Sequence, residues 1–208
     1  NNLMPVTING NGSITGLAVG GLPNGTVDAD TLASNAVTSA KLASASVSSA
    51  KLASGAITST MLPAGSIVQV VNVYHANHQS ISGSGEQDHG FTASITPKAS
   101  GNKIWITMSG AVGSAYTDNF ARGLFKLDVA GGGYNTIGEH FFIGGRKTSS
   151  RDTETWTHDY LHTTSSASVH NFKLYTRVID GNSMNIGGWS HDSNWKHRTT
   201  CTLMEVAA

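Results

Sequence analysis

The chain has 208 residues, 38% hydrophobic and 12% charged, and its thirteen basic residues balance thirteen acidic ones. It can bury one medium-sized core plus an extension, but it offers no electrostatic footprint to a nucleic-acid backbone or an anionic membrane, and no apolar run approaches the roughly 20 residues that span a bilayer. Twenty-four glycines against four prolines favour β-structure and tight turns, and the single cysteine, Cys201, is expected to be a small buried residue with no disulfide partner in the chain.

Residues 1–26 contain two short strand-like pieces, Val6-Thr7-Ile8 and Ser13-Ile14-Thr15, separated by Asn-Gly turn signals. They are expected to form a small hairpin or attachment segment. The opening lacks the basic-then-apolar layout of a signal peptide.

Residues 27–64 repeat every ten residues. Val27, Val37, Val47 and Ile57 form one apolar series and Leu32, Leu42, Leu52 and Leu62 another, and Ile67 carries the first onward. A spacing of five fits neither period: it turns an α-helix by about 500° and flips the face of a strand. A mixed unit fits, with Thr38-Ser39 capping one turn over residues 40–43 before the chain extends again toward Val47.

Each ten-residue unit buries at most two sizeable side chains, about 3 to 6 kcal/mol, against about 1 kcal/mol or more of ordering for every residue. Identical chains running in parallel, with these nine residues facing a common axis, would supply the missing burial. The competing architecture is a pentapeptide-repeat solenoid, since Ala40, Ala45 and Ala50 stand two before Leu42, Val47 and Leu52.

The wording AVTSAKLAS and GAITSTMLPAGSI resembles the tail-fibre and appendage proteins of bacteriophages, especially those of marine cyanobacterial phages. MPVTINGNGSITGLAVGGLPNGT resembles the start of such proteins, which makes Met4 a candidate native start. The resemblance implies a parallel homotrimer with a thin repeat-built shaft and a β-rich head that contacts the host. It also implies synthesis in the host cytoplasm and residence on the virion beside other virion proteins.

From residue 65 onward the pattern becomes that of a head. Strands are predicted at 66–74, 91–96, 103–109, 120–129, 134–137, 154–162, 169–179, 184–187 and 198–206, with a polar loop over 75–90. Ala121, Gly123, Phe125, Leu127 and Val129 alternate onto one face. Strands without a credible helix imply a β-sandwich or jelly roll over 65–208. SITPKASGNKIWITMSG and TCTLMEVAA also resemble the heads of the phage proteins.

Nucleotide and nucleophile motifs are missing: the run Gly131-Gly132-Gly133 lacks the Gly-Lys-Ser/Thr that cradles phosphate. Glu86 with Asp88, and Asp152 with Glu154, are carboxylate pairs in polar surroundings, expected to be solvated rather than catalytic. His75 with His78 and His158 with His162 are the closest histidine pairs. Positions four apart on a strand lie about 13 Å from each other and cannot share an ion, and no metal or cofactor is expected. Trp105 and Trp156 read as structural.

The loop after residue 187 combines Trp189, His191, Asp192, Asn194 and Trp195. Aromatic faces with short polar side chains suit a sugar, while packing of both tryptophans at a subunit interface suits the same residues. Tyr116, Asp118 and Asn119 form a second such loop. The expected function is a non-enzymatic virion fibre whose trimeric head binds a host receptor, a glycan among the candidates. The alternatives are a purely structural or decorating fibre and a polysaccharide-degrading tailspike.

Overall fold

The computed structural model describes residues 7–8, 14–15, 27, 30, 32–76, 79–114, 120–144, 153–179, 183–187 and 198–208. The chain forms two compact units, Asn1–Ser54 and Gly55–Ala208. The first begins with a two-residue antiparallel ladder between β1 (Thr7–Ile8) and β2 (Ile14–Thr15).

The repeat carries two turns in each ten residues. One is a four-residue turn closed by Ala36 N–H to Ala33 O at 2.9 Å and again by Ser46 N–H to Ala43 O at 3.0 Å, with Asn35 and Ala45 left-handed at φ 61° and 60°. The other is a 3-10 turn over Ser39–Lys41, then Ser49–Lys51, then Ser59–Met61. The expected single turn is present as a 3-10 turn, but it starts at Ser39 and Thr38 makes no side-chain cap. So short a turn satisfies its amides through Lys41 N–H to Thr38 O and Leu42 N–H to Ser39 O, and Leu42 is already extended.

Lys41 Nζ donates to Ala36 O at 2.7 Å and Lys51 Nζ to Ser46 O at 2.8 Å, so each lysine spans one five-residue step. Among the described residues, the turn hydrogen bonds of 33–63 run between residues three apart, and the apolar centres point outward rather than into stacked coils.

The second unit is mostly β, built as two antiparallel sheets packed face to face. Its strands are β3 (Ile67–His75), β4 (Gln79–Ile81), β5 (Gln87–Ile95), β6 (Lys103–Ser114), β7 (Ala121–Val129), β8 (Asn135–Gly144), β9 (Thr153–Thr163), β10 (His170–Val178), β11 (Met184–Ile186) and β12 (Thr199–Val206). One sheet runs β5-β10-β7-β8; the other runs β3-β12-β6, with β9 on the far side of β6 and β11-β4 alongside its last residues.

Phe91, Ala93, Phe125, Phe172 and Leu174 from the first sheet meet Ile104, Ile106, Met108, Cys201 and Leu203 from the second in one buried cluster. Cys201 is fully buried as expected, and burial pushes its thiol up to about 12. Gly110 is glycine because the Trp156 ring covers it: a Cβ there would stand 2.9 Å from Cζ2.

Two predicted boundaries are corrected. The polar stretch 75–90 holds β4 and the start of β5, because its buried His89 pairs with Thr176 across to β10. The strand predicted at 134–137 continues to Gly144, its inward side supplied by Phe141 and Ile143.

A β-bulge in β3 against β12 leaves Val68 as the extra residue, because Glu205 pairs with Gln69 and Val206 with Ile67. Residues three apart on a regular strand face opposite ways, yet Ile67 and Val70 are both exposed, at 59% and 55%. The bulge turns both outward.

Candidate functional site

Both predicted receptor loops lie outside the described residues: Tyr116, Asp118 and Asn119 in one, and Trp189, His191, Asp192, Asn194 and Trp195 in the other. Their roots are described. The first loop leaves β6 at Ser114, whose backbone pairs with Met184 of β11; the second leaves from Gly187, whose N–H reaches Ala111 O at 2.8 Å, and returns at Arg198 beside Thr199. Both roots therefore stand at or beside the C-terminal half of β6. The chain enters the sheet at Ile67, paired with Val206, which itself pairs with Lys103 at the opposite end of β6.

At the loop end lies a shallow pocket of about 200 Å³ lined by Ser109, Gly110, Ala111, Thr155, Trp156, Thr157 and Arg198. Ser109 Oγ and Thr200 Oγ1 are 2.8 Å apart beside it, and the Arg198 guanidinium lies over the Tyr74 ring at 4.7 Å. The indole N–H of buried Trp156 meets no acceptor among the described residues. Hydroxyls, one guanidinium and an aromatic edge suit a hydroxylated ligand of about one sugar ring. Sequence reasoning passed over this pocket because Trp156 read as structural; the small Gly110 opposite it was the available signal.

Of the predicted histidine and carboxylate pairs, His75, His158, His162, Glu86 and Asp88 are taken up by packing and ion pairs. His158 stacks on Phe141 with ring centres 3.8 Å apart, and His162 packs against His170 and Phe172. Burial lowers the pKa of both, most of all by desolvation. His75 meets Phe91 edge-on, while His78 and Asp152 lie outside the described residues. No group of three or more His, Cys, Asp or Glu that could hold a metal occurs among the described residues.

Glu86 pairs with Lys126 at 2.8 Å, which holds its carboxyl below the ordinary range. For Asp88 burial acts upward, but the Lys173 ammonium at 2.6 Å and the Gly90 N–H together outweigh it. Each carboxylate has its own lysine, an arrangement that favours two ionised groups over a proton-sharing pair.

No family model and no curated protein matches this sequence. Among solved structures, the chain has likeness at 11% identity to an infectious bursal disease virus structure of the Gx strain, with TM-score 0.38 over 67% of this chain and 37% of that one. A second is the infectious bursal disease virus VP2 subviral particle, at 11% identity and TM-score 0.40 over 67% and 38%. A third is the CBM22-1 xylan-binding domain of Paenibacillus barcinonensis Xyn10C, at 12% identity and TM-score 0.29 over 71% and 99%. The chain spans under two fifths of the viral chains that it resembles.

Proposed function

We propose that this protein is a structural fibre protein of a bacteriophage virion, a homotrimer whose repeat forms the shaft and whose β-rich head recognises a receptor on the host cell. One observation carries the reading. In the isolated chain Val27, Leu32, Val37, Leu42, Val47, Leu52 and Ile57 are all between 42% and 58% exposed, although the backbone around them has its own hydrogen bonds. A repeated apolar ladder of this kind lacks burial that only neighbours can supply.

The resemblance of the repeat to phage fibre proteins supports three parallel copies. Recognition belongs at the loop end of the head, where both predicted loops are rooted, and three copies would multiply weak sites into useful avidity. No helix among the described residues is long and apolar enough to cross a membrane.

Incubation of the purified chain with host-cell polysaccharide tests the role. Saturable retention without cleavage supports the adhesin, degradation products make it a tailspike, and neither leaves a purely structural fibre.

A further inference from the structure

We infer that the outward face of the β3-β12-β6-β9 sheet is where the head packs against a second copy of this chain, an inference that rests on the self-association proposed above. The register aligns Val70, Met204, Trp105 and Leu161 in one row across the four strands. Val70, Trp105 and Leu161 are 55%, 46% and 52% exposed, large apolar groups of a kind the interior normally takes. The bulge adds Ile67 beside Val206 on the same face.

Charge distinguishes the two outer faces of the sandwich. The outward residues of β3, of 103–109 on β6, of 157–163 on β9 and of 200–206 on β12 include only Lys103 and Asp159 as charges; the rest are apolar, hydroxyl or amide. Asn72 Nδ2 donates to Thr202 Oγ1 at 2.8 Å across this face. The opposite sheet presents Lys126 with Glu86, Lys173 with Asp88, and Arg122 and Arg177. That second face is made for water.

Three nearly neutral faces turned toward a common axis can pack on neighbouring copies without burying like charges, which the charged outer face of the other sheet could not. The ladder also leads into it. Ile57, 58% exposed, half-buried Leu62 and Ile67 keep the five-residue spacing, and Ile67 is at once the last rung and the first residue of the face. Four strands about 4.8 Å apart, over about seven residues of 3.4 Å each, cover roughly 450 Å², a large part of the about 800 Å² per partner that a stable interface buries.

The test uses the whole chain in three parallel measurements. Light scattering gives the wild-type mass. Leu161→Cys and Met204→Cys, against Thr136→Cys on β8 of the other sheet, are treated with a short bis-maleimide; the native Cys201 is buried and stays silent. Trp105→Glu, checked for retained β-structure by circular dichroism, is measured for assembly. The expected result is linked chains for Leu161→Cys and Met204→Cys but not for Thr136→Cys, and a subunit dissociation constant raised about 30-fold or more by Trp105→Glu. A monomeric wild type removes the self-association itself. An oligomeric wild type whose 161 and 204 thiols stay unlinked, and whose Trp105→Glu form assembles as before, overturns the head interface alone.

Discussion

Glu205 Oε1 accepts a hydrogen bond from Asn102 Nδ2 at 2.6 Å, joining a fully buried carboxylate on β12 to the connection before β6. The same oxygen takes Lys98 N–H at 2.7 Å, and Oε2 takes Gln69 Nε2 at 2.6 Å. This carboxylate stands at the bulge that turns Ile67 and Val70 outward, so a polar group in the interior sets the shape of the proposed interface.

Glu205→Ala leaves buried donors without an acceptor and should cost on the order of 4 kcal/mol of head stability, with Glu205→Gln costing about half as much. Urea unfolding followed by circular dichroism measures both. A loss below about 1 kcal/mol for the alanine form would contradict the role given to this group.

Ala45 holds a left-handed conformation that Gly55 and Gly65 occupy in the corresponding later turns. Ala45→Gly relieves about 1–2 kcal/mol of strain against about 0.5–1 kcal/mol of added freedom in the unfolded chain. The turn should tighten slightly. Hydrogen exchange at the Ser46 amide, bonded to Ala43 O, is predicted to slow; faster exchange would speak against the turn.

Burial pushes the His89 imidazole down to about 4, with neighbouring Asp88 acting upward and His75 adding to the fall. The folded head therefore keeps His89 neutral while the unfolded chain takes up a proton near pH 6.5. Stability should be constant above about pH 7 and fall as pH drops from 6.5 toward 4, by up to about 3 kcal/mol, with His158 and His162 contributing in the same sense. The depressed Glu86 and Asp88 act in their own window: their contribution is present above about pH 4 and is lost as pH falls through their lowered values. His89→Gln should flatten the profile between pH 4.5 and 6.5, and an unchanged slope would assign it to other groups.

Replacing Trp189 and Trp195 together by Ala is predicted to abolish retention on host polysaccharide while leaving the oligomer's mass unchanged. Loss of the oligomer instead would put these tryptophans at a subunit interface.

Much of the fold was legible because alternation is a direct record of a sheet with one buried face: β7, β10 and β12 read cleanly from their inward Phe, Leu and Val. β5 and β8 were partly hidden. Their outward positions carry Asp88 and His140, and the inward His89 does not look like core until Thr176 is opposite it. Trp105 shows the limit of composition. Flanked by Ile104 and Ile106, it read as structural with no face assigned, yet two buried isoleucines on one strand oblige the residue between them to face out. The bulge at Val68, opposite Glu205, depends on pairing between residues more than a hundred apart, which no local pattern carries. Of the candidate site, sequence supplied the loops' composition; only the pairing of Ser114 with Met184 brings their roots to one end.

The mass of the whole chain at micromolar concentration tests the central claim most directly. A particle of about three times the 21.7 kDa chain is predicted, because the half-exposed ladder from Val27 to Ile67 then finds its burial. A stable monomer would contradict it.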